Sequence, residues 1–349
     1  MAEKPTTDNY AVEIHCHCEL TSFSLPLPSS SFPLKSAVCH CNSCRHTTGQ
    51  LFATWAVIPT PIPSEILKSG NLIRYDSSST CERWFCKQCG ASVINIDKAD
   101  DQQEWEVATG LLHFKDENGI DGKLDRVQLW VEDIKADGGA VGWINKGELA
   151  GMDRFWNGRE SAVVSDDDVR HLMEEGHTVS PESRQERLNA QCHCQKVAFS
   201  VARPEQSFNS GTGKFEANLD TCTSCRTITG FEVTAWTTVR RTLVQADGSG
   251  LDTLLADTSR LGQYKTSAGV SRYFCIGCGA TVFYENHSLD TVDVGVGLLQ
   301  SQPEGEVCAK DWLVWQRYPE CLAYAEEAID KHFVGNLAEG MRRAEMKER

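Results

Sequence analysis

The sequence predicts two tandem domains built mainly from antiparallel β-strands. Three observations support this prediction: the chain is 349 residues long, its cysteine motifs occur twice in the same order, and its apolar stretches are short. At roughly 100–200 residues per domain, this length allows two domains with substantial cores. The apolar stretches are rich in β-branched and aromatic residues and are separated by Gly, Pro, Asp, Asn and Ser, which is typical of strands joined by turns.

Three cysteine motifs define the repeat. In the first half they read CHC at 16–18, CHCNSCR at 39–45 and FCKQCG at 85–90. In the second half they read CHC at 192–194, DTCTSCR at 220–226 and FCIGCG at 274–279. Residues outside the motifs follow the same order: Gly49, Trp55, Tyr75, Arg83 and Gly110 correspond to Gly230, Trp236, Tyr264, Arg272 and Gly297. This ordered self-similarity indicates a duplicated domain.

The repeat predicts an N-terminal zinc domain at 9–150, a linker at 151–187, a C-terminal zinc domain at 188–330 and a tail at 331–349. Within the linker, 165–176 has an Asp-rich start and a glycine at its end, which predicts one short helix. The tail is rich in Ala, Glu, Leu, Lys and Arg, so we expect it to be helical.

The composition limits the classes of function. The chain has 49 acidic residues against 34 Lys and Arg, a net charge of −15, which disfavours binding to a phosphate backbone. No apolar run is long enough to span a membrane, and the N-terminus lacks the pattern of a secretory signal. We therefore expect an intracellular, cytoplasmic protein that acts on a small molecule and has no nucleic-acid or membrane partner. The 16 cysteines then favour metal binding over disulfides.

The grouped cysteines of the first domain divide most simply into four and three. Cys16, Cys18, Cys86 and Cys89, here called the first closed set, would complete the tetrahedron of a structural zinc site. Cys39, Cys41 and Cys44, the first open set, would leave one zinc position for a substrate, as in catalytic sites. The spacing also allows other pairings, such as Cys39 joining the first closed set. Buried unmetallated cysteines and disulfides are the alternatives to metal.

The order and spacing of the motifs resemble those of the glutathione-dependent formaldehyde-activating enzyme family, which includes centromere protein V. The resemblance covers both halves, with Glu19 standing where the family usually has glycine after the first motif. It implies a tandem member with two β-tent-like domains, each with one structural zinc and one catalytic zinc held by the middle motif. In the second domain, the structural ligands would be Cys192, Cys194, Cys275 and Cys278, here called the second closed set.

The second domain departs from this pattern at the middle motif, where Asp220 replaces the cysteine found at position 39. Asp220, Cys222 and Cys225, the second open set, would offer zinc one carboxylate and two thiolates, which is chemically possible but poorer in soft donors. The alternative is that this set has lost its metal and the domain is a scaffold. We therefore expect three or four zinc ions per chain, with the chemistry in the first domain.

The resemblance implies a zinc-dependent carbon–sulfur lyase-type enzyme similar to S-(hydroxymethyl)glutathione synthase, with glutathione as a co-substrate. Around the catalytic ligands Cys39, Cys41 and Cys44, His46 is our candidate for proton transfer and Arg45 is our candidate for binding a substrate carboxylate. Two alternatives remain open: a lyase or dehydratase acting on a larger substrate of a biosynthetic pathway, and a non-catalytic, zinc-stabilised protein-binding module.

Overall fold

Each half of the chain forms one small and one large β-sheet, which confirms the mainly β tandem fold predicted from the sequence. A computed structural model describes residues 9–99, 103–115, 119–144, 151–175, 185–204, 213–302, 306–316 and 319–347.

The first half contains strands β1 to β10. They are β1 (Asn9–His15), β2 (Ser22–Pro28), β3 (Leu34–Cys39), β4 (Ala53–Ile58), β5 (Leu72–Asp76), β6 (Cys81–Cys86), β7 (Ser92–Asp97), β8 (Glu104–Ala108), β9 (Leu112–His113) and β10 (Leu124–Leu129). The small sheet has the order β2-β1-β9, and the large sheet has the order β10-β3-β4-β8-β7-β6-β5. All neighbours are antiparallel except β3 and β10, which run parallel.

The second half repeats this arrangement with strands β11 to β23. They are β11 (Arg187–Gln191), β12 (Ala198–Ala202), β13 (Phe215–Asp220), β14 (Thr234–Arg240), β15 (Val244–Ala246), β16 (Ser249–Gly250), β17 (Leu261–Ser267), β18 (Val270–Cys275), β19 (Thr281–Asn286), β20 (Thr291–Gly295), β21 (Leu299–Gln300), β22 (Leu313–Trp315) and β23 (Leu322–Ala323). The small sheet has the order β16-β15-β12-β11-β21, and the large sheet runs β17-β18-β19-β20-β14-β13-β22, with β23 also paired to β13. Equivalent strands therefore occupy equivalent places.

The described residues form seven α-helices, of which α7 is the longest. They are α1 (Asn42–Thr48), α2 (Ser64–Leu67), α3 (Val141–Ile144), α4 (Asp166–Glu175), α5 (Thr223–Thr229), α6 (Leu251–Leu255) and α7 (Lys331–Lys347). As predicted, α4 lies in the linker and α7 in the C-terminal tail. Within the described ranges, no helix has the length and apolar character needed to cross a membrane.

Contacts between the two halves come in pairs that the repeat relates to each other. The backbone N–H of Gly110 donates to the carbonyl oxygen of Gly230 at 2.9 Å, and that of Gly297 donates to the oxygen of Gly49 at 3.0 Å. Gly110 and Gly297 are equivalent positions, as are Gly49 and Gly230, so the halves are related by an approximate two-fold axis. The chain thus packs as an internal pseudo-dimer.

A buried ion cluster adds a further link between the halves. The Nη2 atom of Arg126 on β10 lies 2.8 Å from Glu232 Oε1 and 2.8 Å from Asp330 Oδ2. All three residues are buried, and the guanidinium also lies over the ring of Phe333 in α7. Because an unpaired buried charge is costly, this cluster fixes the start of α7 against both halves.

Candidate metal centres and active site

The first closed set comes together as four neighbouring thiols. The sulfur atoms of Cys16, Cys18, Cys86 and Cys89 all lie within 4.8 Å of one another. The Cys18 sulfur is 3.5 Å from those of Cys16 and Cys86, and none of the four cysteines forms a disulfide. Four sulfurs at about 2.3 Å from one zinc ion would be about 3.8 Å apart, so this donor set fits a tetrahedral zinc site.

The second closed set has the same geometry. Sulfur–sulfur distances are 3.6 Å from Cys192 to both Cys194 and Cys275, and 3.4 Å from Cys194 to Cys275, with Cys278 in the same group. In each half, one pair of thiols follows the first strand of the small sheet, and the other pair lies at the end of a large-sheet strand and in the turn after it. Each closed set therefore joins the two sheets of its own half.

The glycine after each third motif lets the other half approach. Gly90 has φ +81° and its N–H donates to the oxygen of Cys86 at 2.9 Å, closing the turn that contains Cys86 and Cys89. A β-carbon on Gly90 would lie 2.3 Å from Cγ of Phe274, and one on Gly279 would lie 2.5 Å from Cγ of Phe85. Because only glycine has no β-carbon, these two glycines let the other half pack against the third motifs. Each third motif therefore positions two thiols and also forms part of the interface.

The first open set lies where β3 passes into α1. Cys39 ends β3, and Cys41 is the N-cap of α1, with its Sγ accepting a hydrogen bond from the N–H of Cys44 at 3.2 Å. The Cys39 and Cys41 sulfurs are 3.4 Å apart, and all three lie within 4.8 Å of one another. Asp133 Oδ2 accepts from the N–H of Asn42 at 2.8 Å, so two N–H groups at the helix start are satisfied locally. Three thiols at this spacing fit zinc with one position left for another ligand.

An arginine that we did not predict as a site residue contacts the first open set. Arg83 on β6 is buried, and its Nη2 donates to the Sγ of Cys44 at 3.3 Å. Hydrogen bonds from Cys39 and Cys41, and then the charge of Arg83, hold the pKa of the Cys44 thiol well below its usual range. The repeat contained a signal for this residue, because Arg83 and Arg272 occupy corresponding positions in the two halves. Arg272 donates to Cys225 in the same way, at 3.2 Å.

A row of polar side chains extends from this arginine across the large sheet. Arg83, Asn95 and Glu106 stand opposite one another on β6, β7 and β8, so their side chains share one face of the sheet. Asn95 Nδ2 donates to Glu106 Oε2 at 2.5 Å, and Asn95 Oδ1 accepts from the thiol of Cys81 at 3.0 Å. Burial raises the pKa of Glu106 to about 8. The row therefore places a carboxyl group that can exchange a proton near neutral pH on the face from which Arg83 reaches Cys44.

The second half keeps an acid at the equivalent of this position. Asp293 on β20 accepts a hydrogen bond from Thr238 Oγ1 at 2.6 Å, and burial raises its pKa.

In the second open set, Asp220, Cys222 and Cys225 also lie within 4.8 Å of one another. The Oδ1 atom of Asp220 accepts from the N–H of Cys222 at 2.8 Å, which leaves its other oxygen to serve as a metal ligand. This set is compatible with metal but has one thiol fewer.

Two predicted site residues have other surroundings than we expected. Arg45 is buried, and its Nη1 donates to Asn42 Oδ1 at 2.8 Å, while burial lowers its pKa to about 10. His46 faces the second half, where its carbonyl oxygen accepts a hydrogen bond from the N–H of His193 at 3.0 Å, and burial lowers its pKa to about 4. Arg45 therefore braces the start of α1 through Asn42, and His46 stays neutral. The roles predicted for these two residues, carboxylate binding and proton transfer, stay predictions.

The raised pKa of Glu106 makes a prediction about stability. The folded protein keeps this carboxyl protonated up to about pH 8, whereas the unfolded chain loses the proton near pH 4.5. The stabilising contribution is complete below pH 4.5 and is lost as the pH rises through 8. We expect Glu106→Gln to be more stable than the parent by at least about 1 kcal/mol at pH 8.5, with the difference shrinking towards pH 6.

Urea unfolding at several pH values between 6 and 9 measures this difference. Glu65→Gln is the matched control, because it makes the same substitution at an exposed carboxylate on α2. Parallel pH profiles for the parent and Glu106→Gln would contradict the assignment of a raised pKa to Glu106.

Comparison with known proteins agrees with this geometry. The family model described as "Glutathione-dependent formaldehyde-activating enzyme" matches residues 11–133 and 187–314. A protein of Sordaria macrospora is 27% identical over 124 residues, and one of Penicillium rubens is 28% identical over 88 residues. Each carries the provisional name glutathione-dependent formaldehyde-activating enzyme.

These relatives are matched over part of their length. The first alignment covers 35% of this chain and 52% of the relative, and the second covers 25% and 45%, so the chain spans about half the length of the curated relatives it matches. The family model, in contrast, covers most of the chain and matches it twice, once in each half. The chain belongs to the glutathione-dependent formaldehyde-activating enzyme family, as a tandem member.

Proposed function

We propose that the first domain is a zinc-dependent lyase-type enzyme that joins a thiol to a small aldehyde, with glutathione and formaldehyde as substrates. The observation that carries this proposal is the difference between the two kinds of thiol set. Each closed set offers four sulfurs and would fill the coordination of a zinc ion, whereas the first open set offers three and leaves a position for a substrate.

Zinc at the first open set would bind the thiol sulfur or the aldehyde oxygen and lower the pKa of the group that it holds. The Arg83 guanidinium, hydrogen-bonded to the Cys44 sulfur, offsets the negative charge of three thiolates. Its Nη1 atom is buried and has no partner among the described residues, so it is available to a bound oxygen. We therefore propose Arg83 as an anion-binding residue in addition to the predicted Arg45.

Glu106 is a second candidate for proton transfer, beside the predicted His46. In the ionised form it accepts the thiol proton as the carbon–sulfur bond forms and the carbonyl π bond opens, and it then returns the proton to the new alkoxide oxygen. The product is a hydroxymethyl thioether, and no net proton is gained or lost. A pKa near 8 suits this exchange, because both protonation states are accessible near neutral pH. Asn95 holds the carboxyl on the face of the sheet shared with Arg83.

We assign zinc to both closed sets and to the first open set, and a fourth, weaker site to Asp220, Cys222 and Cys225. The second open set supplies a carboxylate in place of the third thiolate. It would therefore offer zinc two soft thiolate ligands where the first open set offers three. We therefore propose that it contributes little to the reaction.

Exchange spectroscopy tests the reaction. Glutathione and ¹³C-formaldehyde form their adduct without a catalyst, so we would measure the exchange rate between free and bound formaldehyde by NMR at equilibrium. We expect a rate above background that increases in proportion to protein concentration. Exchange with cysteine or coenzyme A but not with glutathione would keep the reaction class and change the substrate. A background rate with every thiol would contradict the proposed activity.

A further inference from the structure

The second closed set touches the helix that carries the first open set. His193 lies between two ligands of the second closed set, Cys192 and Cys194. Its backbone N–H donates to the carbonyl oxygen of His46 at 3.0 Å, across the interface between the halves. His46 follows Cys44 by two residues in α1, so the contact is made within one helical turn of an open-set ligand.

The side chain of the same histidine makes a second contact with the first half. Its Nδ1 shares a hydrogen bond of 2.6 Å with the hydroxyl of Tyr75 on β5, and the two rings meet edge to face with centroids 5.8 Å apart. His193 is therefore held between α1 and β5 of the first half. Both contacts are made by the backbone segment 192–194, which also supplies two ligands to the second closed set.

These contacts supply what a short helix lacks. α1 has seven residues, and a helix of this length is not stable alone in water. The last carbonyl groups of a helix have no partner within it. Here the N–H of Gly49 caps the oxygen of Arg45, while the oxygens of His46 and Gly49 accept hydrogen bonds from His193 and Gly297 of the other half. The C-terminal end of α1 is thus completed by the second domain.

The repeat provides the mirror image of this arrangement. His17, between Cys16 and Cys18, donates its N–H to the oxygen of Thr227 in α5 at 3.1 Å, and its Nδ1 lies 3.2 Å from the hydroxyl of Tyr264. Each closed set therefore contacts the open-set helix of the other half. The second half has kept all four thiols of its closed set but only two thiols in its open set.

We propose that His193 and Tyr75 are positioning residues, through which the cysteine centre of the second domain sets the geometry of the first open set. The second domain then contributes to the reaction by holding α1, whatever its own open set binds. This inference deepens the proposed function, since it rests on metal binding by Cys39, Cys41 and Cys44, but it does not depend on the identity of the substrates.

The matched variants are Tyr75→Phe and Tyr264→Phe in the full chain. Each removes one hydroxyl and one interface hydrogen bond, so a general loss of stability would affect both alike. We expect Tyr75→Phe to weaken metal binding at the first open set about fivefold, the effect of one lost hydrogen bond, and Tyr264→Phe to leave it unchanged. The measurement is cobalt(II) titration in the absence of substrate, followed by thiolate charge-transfer absorption and by competition with a chelator.

Hydrogen–deuterium exchange gives a readout that needs neither activity nor metal at the first open set. We expect Tyr75→Phe to speed exchange in α1 and Tyr264→Phe to speed exchange in α5. His193→Ala should act as Tyr75→Phe does, and more strongly. Equal effects of the two tyrosine variants on α1, or no effect of Tyr75→Phe on either readout, would overturn the proposal. An inactive parent protein whose α1 still responds to Tyr75→Phe alone would contradict the proposed reaction and leave the cross-domain contact supported.

Discussion

Replacing Cys39, Cys41 and Cys44 together by alanine is expected to remove one zinc ion per chain and to reduce adduct exchange to the uncatalysed rate. The three side chains supply all the donors of the first open set, while both closed sets lie on other turns and keep their ligands. The fold should therefore persist, with an unchanged far-ultraviolet circular dichroism spectrum. Since the loss of a residue that supports a ligand already costs 10–100-fold, we expect loss of the ligands to cost at least about 100-fold in activity.

Elemental analysis and the exchange assay measure these two losses. The control is the double variant Cys222→Ala/Cys225→Ala, which removes the two thiols of the second open set. It should retain most of the activity, because we assign the reaction to the first domain. If the control lost activity as severely as the triple variant while keeping its fold, the chemistry would have to be shared by both open sets.

Replacing Gly49 by alanine is expected to lower the free energy of unfolding by about 3 kcal/mol. Gly49 caps α1 in the left-handed conformation, with φ +75°, which costs an alanine about 1 kcal/mol. The new β-carbon would also lie 2.0 Å from the carbonyl oxygen of Thr281 in the second half, so the two halves would have to move apart. Urea unfolding measures the loss.

Gly70→Ala separates these two causes. Gly70 has nearly the same backbone conformation, φ +73°, but a β-carbon there would meet nothing within 4 Å. We expect it to cost only about 1 kcal/mol, the price of the conformation alone. A loss as large for Gly70→Ala as for Gly49→Ala would show that the close approach of the two halves contributes little to stability.

The fold and the grouping of the thiols could be predicted from the sequence because both are encoded locally. Short strand-like stretches and turn residues identify β domains without knowledge of their partners. Likewise, Cys41 and Cys44 lie in one turn, and the recurrence of their spacing at Cys222 and Cys225 distinguishes a motif from a coincidence. Local spacing identified each pair of thiols, but the two pairs of a closed set lie far apart in the chain, and the spacing alone left other pairings open.

The surroundings of the first open set could not be predicted in the same way, because they depend on which strands become neighbours. Arg83 and Glu106 come to share one face of the large sheet only once β6, β7 and β8 pair in register. His46 adjoins the open set in sequence, but its carbonyl oxygen contacts His193 of the second half, and the sequence contains no signal for that contact. Proximity along the chain does not indicate contacts that the sheet register and the interface decide.

The approximate two-fold axis has a consequence for how such a protein can change over time. In a symmetric dimer of identical chains, every substitution appears in both subunits, so a lost ligand is lost from both sites at once. Here one polypeptide encodes the two halves separately. Asp220 could therefore replace a cysteine on one side while Cys39 persisted on the other. Fusion frees each half to diverge alone, provided that the shared contacts are kept.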